Sequence, residues 1–64
     1  MTKEELVSRM YFLQSRMGNV AYDLDAFGGS EESSKHAAEL AEASEMVGQW
    51  ADALLKEAKN EADN

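Results

Sequence analysis

Between residues 6 and 27 the large apolar side chains stand at Leu6, Met10, Leu13, Met17, Val20, Leu24 and Phe27. The steps between them alternate four and three without a break. This is a heptad pattern, with Leu6, Leu13, Val20 and Phe27 at d-type and Met10, Met17 and Leu24 at a-type positions. Side chains so spaced form one stripe along a helix, and such a stripe needs a partner to cover it. Upstream, Thr2 and Glu5 match a capping box, in which the Thr2 hydroxyl accepts from the Glu5 backbone N–H. Helix one is therefore expected over residues 3–27. Gly18 and Asn19 fall inside it, but the stripe stays in phase across them and predicts one helix. Gly28 and Gly29 end it, since a glycine just past the last apolar position suits the left-handed turn that closes many helices.

Ser30 is a good N-cap for a second helix, with Glu31 and Glu32 in the first turn where the helix dipole favours negative charge. Leu40, Val47 and Leu54 recur every seven residues and mark the centre line of this helix, expected over residues 31–60. His36, Ala43 and Trp50 flank the line on one side; Ala37, Ser44, Ala51, Leu55 and Ala58 flank it on the other. The far face carries Glu42, Glu45, Gln49, Asp52 and Lys56. Alanine along the flank allows close approach, and Trp50 is the one bulky anchor. A connection over residues 28–30 makes the helices antiparallel neighbours. The expected domain is thus a single all-α helical hairpin spanning residues 1–64, with a disordered tail over 61–64.

Size sharpens this expectation. A chain of 64 residues buries only about 60% of the surface its unfolded form exposes, so its own core stabilises it weakly. Short chains compensate with disulfides, a structural metal or oligomerisation. The absence of cysteine and the single histidine leave oligomerisation. A homodimer forming a four-helix bundle is the simplest assembly, since two-fold dimers are the commonest oligomers. The heptad stripe could serve either the hairpin or the dimer contact. A second stripe on helix one, Ser8, Tyr11, Ser15, Gly18 and Tyr22, offers small residues bracketed by tyrosines on which another helix could dock. With Phe12 and Trp50, the residues Tyr11, Ser15, Gly18 and Tyr22 are the candidate partner or dimer contacts.

Charge narrows the partners. The net charge of −7 opposes direct binding to nucleic acid phosphates or anionic lipid. Up to Gly29 four acids stand against Lys3, Arg9 and Arg16; from Ser30 onward nine stand against Lys35, Lys56 and Lys59. Arg9 and Arg16, one heptad apart beside the stripe, are expected to pair with acids of helix two and fix the register. The acidic face of helix two also admits a second functional class, imitation of a phosphate backbone to occupy a basic groove on a nucleic-acid-binding protein. No apolar run approaches the roughly 20 residues of a membrane span, and Met1 leads into charged residues, so a cytoplasmic protein is expected.

Catalytic chemistry finds no motif. There is no cysteine nucleophile, Gly-x-Ser-x-Gly elbow or phosphate-binding glycine loop. Ser30, Ser33 and Ser34 have no base placed to activate them, although His36 is near in sequence. His36 shares a face with Glu32 and Glu39, but a di-metal carboxylate site would show Glu-x-x-His with further inward glutamates, and helix one offers none. No enzyme, metal or cofactor is expected.

The opening MTKEELVSRMYFLQSRMGNVAYDLDAFGG, followed by an acidic alanine-rich helix, resembles the small early proteins of lambda-like bacteriophages encoded between the exonuclease and excisionase genes. The resemblance rests on size, charge and general style over most of the chain. It implies a regulatory factor in the host cytoplasm that binds a host or phage protein. It supplies no catalytic residues.

Overall fold

The computed structural model describes residues 1–62 as two α-helices, α1 over Lys3–Phe27 and α2 over Glu31–Ala62, packed against each other as a hairpin. The helix starts follow from their caps. Thr2 sits in extended backbone, and its hydroxyl accepts from the Glu5 N–H at 3.1 Å. Ser30 does the same for the Ser33 N–H at 3.1 Å. Each cap satisfies a backbone donor that the first turn leaves without a partner. Glu4 and Glu5 begin α1, Glu31 and Glu32 begin α2, and Lys59 stands in the last turn of α2. All five complement the helix dipole.

The turn corrects one detail of the sequence reading. Gly28 keeps helical backbone, and its N–H donates to the Leu24 carbonyl at 2.9 Å. The left-handed residue is Gly29, at φ +77°. Gly28 has its own reason to be glycine: a Cβ there would lie 2.4 Å from the Leu24 carbonyl oxygen and 2.3 Å from Ser33 Cβ. The second correction is at the far end, where α2 continues through Glu61 to Ala62. Lys3 at the start of α1 bonds to Glu61 and lies 3.9 Å from Glu57. That cross-helix pairing gives the last turn a partner, which a reading of α2 alone could not foresee. Asp63 and Asn64 of the expected tail lie outside the described residues.

Gly18 does not interrupt α1. The helices of 25 and 32 residues make an elongated body, 52 × 15 × 12 Å, with a radius of gyration of 14.9 Å. A globular chain of this length would have a radius near 10.7 Å. The accessible surface of 4913 Å² likewise exceeds the roughly 4100 Å² of an average folded monomer of this mass.

Among the described residues the buried ones are Val7 and Ala21 on α1, with Ala37, Ser44, Val47, Gly48, Ala51 and Ala58 on α2. Among the described residues no leucine, methionine or aromatic side chain is buried. Ser44 is accommodated because its hydroxyl donates to the Gln14 carbonyl at 3.0 Å, so no buried polar group is left unpaired there. The core is thin and made of small side chains.

Candidate functional site

The heptad stripe of helix one divides in the structure. The residues of α1 turned toward α2 are Val7, Met10, Gln14, Met17, Ala21 and Leu24, all buried or half-buried. The a-type half of the stripe therefore serves the hairpin. The d-type half does not: Leu6, Leu13, Val20 and Phe27 are exposed, Leu13 at 50% and Phe27 at 80%. Their places in the contact are taken by the next residues along, Val7, Gln14 and Ala21, while Gly28 follows Phe27 at the turn. Replacing half of a seam by residues one position later turns its centre by about 50°.

Helix two repeats the displacement. Its contact line is Ala37, Leu40, Ser44, Val47, Ala51, Leu54 and Ala58, again buried or half-buried. Of its remaining large residues, Leu55 stands one position later and is half-buried, while Trp50 and Met46 stand one position earlier, at 55% and 49% exposure. Because the helices are antiparallel, the same sense of rotation brings both exposed sets to the same side of the hairpin. A groove of about 380 Å³ lined by Leu13, Arg16, Met17, Val20 and Leu40 runs along it. Helical spacing extends the side through Leu6 on α1 and through Ala43, Met46 and Trp50 on α2. Arg9 and Arg16 lie at its α1 margin, Glu39 and Glu57 at its α2 margin.

The opposite side has another chemistry. Gly18, Ala21, Ser34, Ala37, Ala38 and Ala41, with Tyr22 and Asp25, line a groove of about 330 Å³. Farther along, the Tyr11 hydroxyl donates to Asp52. That hydrogen bond, then partial burial and the nearby negative charge, raise the Tyr11 phenol above its ordinary value near 10. On the apolar side, beside Glu57, the Lys3 ammonium is also raised, chiefly by its bond to Glu61 and against the effect of burial, with the charges of Glu61, Glu57 and Glu4 adding to it. Gln14 lies over Gly48, where an added Cβ would come within 2.3 Å of the Gln14 amide nitrogen.

The candidate contacts named from sequence are thus not one surface. Trp50 lies on the apolar side. Tyr11 and Gly18 border the helix contact on the other side, and Tyr11 is engaged by Asp52. Tyr22 is 72% exposed at the rim of the small-residue groove, with Ser15 on the same flank. Phe12 points away from α2, and the Arg16 guanidinium stands 5.8 Å from its ring centre. Arg9 and Arg16 do not tie the helices together as expected: among the described residues the Lys or Arg ion pairs are those of Lys3 with Glu57 and Glu61. Their position one step outside the contact line, on the apolar margin, is the reason. Leu6, Leu13, Val20 and Phe27 belong to the stripe for which the sequence leaves hairpin and dimer contact both open, and Met46 joins them on the exposed side. The signal was present in the sequence, since two different sets of residues compete for one helix face.

His36 Nδ1 lies 2.9 Å from Glu39 Oε1, a pair between exposed neighbours on one helix. Among the described residues no three of His, Asp and Glu gather closely enough to hold a metal ion, and no helix is long and apolar enough to cross a membrane. Comparison with protein-family models, with curated proteins and with solved structures finds no match.

Proposed function

We propose that this chain is a small non-enzymatic protein-interaction module, that two copies pair through the apolar side into a four-helix bundle, and that the assembly acts as a regulatory factor by binding a further protein. The resemblance to early proteins of lambda-like phages points to the same class, with a host or phage protein as the target. The observation that carries the pairing is the rotation of both apolar stripes to one side of the hairpin. In a square bundle each helix points its main apolar stripe at the bundle axis, about 45° from the direction of its hairpin neighbour. The displacement of about 50° read from helical spacing matches this. A hairpin folding alone would aim its largest residues straight at the other helix.

Area agrees. Two helices side by side over the length of α1 offer roughly 700 Å² per chain, close to the roughly 800 Å² per partner of a standard stable interface. Sedimentation equilibrium over a wide concentration range tests the reading, with helical melting followed at the same concentrations. The wild-type chain should be dimeric, with a melting temperature that rises with concentration. Leu13→Glu with Val20→Glu should raise the dimer dissociation constant at least about 100-fold, because each covered side chain contributes about 1.5–3 kcal/mol. Tyr22→Ala, on the other side, should leave it unchanged. A monomeric wild-type chain, or a double variant that associates as before, refutes the pairing.

A second reading has its own observation. Asp25, Glu31, Glu42, Glu45 and Asp52 are exposed and lie away from the apolar side, so they stay accessible in the paired form. As a phosphate-backbone mimic, the assembly would bind its partner with an affinity that falls steeply as salt rises. Neutralising Glu42 and Glu45 would abolish that binding.

A further inference from the structure

Resting on the pairing proposed above, we infer that helix one of each chain lies across helix two of the other, with the two-fold axis running along the bundle. Two hairpins stacked through the same side are related by a two-fold axis in the plane between them. An axis along the helices sets α1 on the partner's α2. An axis across the helices sets α1 on the partner's α1, and α2 on the partner's α2.

Three observations favour the first. Nine of the thirteen acids lie from Ser30 onward, against Lys35, Lys56 and Lys59. Setting like on like places the two most acidic helices side by side, whereas alternation makes them diagonal and gives each two neighbours of lower charge. Next, like on like at full overlap brings Arg16 against the partner's Arg16 near the axis. Alternation moves it to the margin of the partner's α2, away from the partner's Arg16. Last, the exposed set on α1 is large throughout, while α2 interposes Ala43 between Leu40 and Met46 and follows Trp50 with Ala53. Large residues on α1 meeting small ones on α2 keep the layer spacing even; large against large would splay one pair of helices.

An axis along the helices leaves no freedom to slide. Each α1 residue stands level with the same α2 position in the partner as in its own chain. Within the chain, Tyr11 reaches Asp52 and Gln14 reaches Gly48, so Arg16 stands level with the partner's Met46, and Arg9 with the partner's Ala53. Under like-on-like stacking, Arg16 and Met46 would each face their own copies.

The chain has no cysteine, so introduced thiols report this directly. Arg16→Cys and Met46→Cys chains, each first shown dimeric by sedimentation, are mixed and equilibrated in a glutathione redox buffer. The expected product is the mixed disulfide, with each variant alone remaining uncrosslinked, because a disulfide needs Cα atoms within about 7 Å. Arg9→Cys with Ala53→Cys should behave the same way and guards against a local effect of losing Arg16. Homodisulfides formed by either single variant overturn the inference, and so does a dimer that yields neither mixed product. Both outcomes leave the pairing itself intact. A chain monomeric by sedimentation removes the pairing and the arrangement together.

Discussion

The two sides of this hairpin are built by the same two helices and differ in what they leave open. On one side Gly18, Ala21, Ala37, Ala38 and Ala41 let the backbones come together, and Tyr11 with Asp52 ties the helices by a polar contact. On the other side Leu6, Leu13, Val20, Phe27, Met46 and Trp50 are held out in water. A chain optimised to be a lone hairpin would have turned the second set inward, because a buried leucine contributes more than a buried alanine. The asymmetry teaches that the hairpin contact does not itself consume these large residues; under the pairing proposed above they face another layer.

The largest effect that would break this comparison lies in the contact line. Ala51 is fully buried, and the small side chains around it fix how closely the helices approach. Ala51→Leu should destabilise the hairpin by about 1–3 kcal/mol through overpacking, measured by urea unfolding at a concentration that holds the assembly state fixed. If the helices instead tolerate the larger residue without loss, the close approach is not set by small residues.

Glycine substitutions give the next effect and sharpen the comparison, because they act in opposite directions. At Gly29, φ +77° makes an alanine strained, at a cost of about 1–2 kcal/mol. Gly18 lies in the middle of α1 with open space where a Cβ would go, so Gly18→Ala should stabilise by about 1 kcal/mol. Thermal melting of the two variants should move to either side of the wild type. Equal shifts would mean that the turn, and not the helix, governs both.

The smallest effect concerns pH. The Tyr11 phenol is raised in the folded chain, so folding holds its proton more tightly than the unfolded state does. The stabilisation is complete below the ordinary tyrosine value near 10 and is lost as pH rises through the folded value. Tyr11→Phe should flatten the decline in melting temperature above pH 10, once the change is separated from that due to Lys3, which is raised in the same direction. An unaltered alkaline profile would show that the Tyr11–Asp52 bond contributes nothing to stability.

Local signals carried most of the fold. The capping box at Thr2 and Glu5, the unbroken phase across Gly18, the glycine pair and the Ser30 cap are short-range features, and the helix bounds follow from them to within two residues. The surface was less legible. Periodicity reports the direction of an apolar stripe on its own helix, and a stripe looks the same whether it aims at one neighbour or between two. Tyr11 and Tyr22 drew attention as aromatics off the stripe, yet one is engaged by Asp52 and the other edges a groove of small residues.

By itself, then, the sequence determined two helices, their order, their caps and the need of their apolar stripes for cover, because each depends on residues within a few turns of one another. Only the tertiary structure decided which half of the helix one stripe meets α2. That choice depends on residues such as Gln14 fitting over Gly48, and Ser44 reaching the Gln14 carbonyl, across some thirty positions of chain. It leaves Leu6, Leu13, Val20 and Phe27 outside because small side chains pack the two backbones closely and large ones are displaced to the side with room.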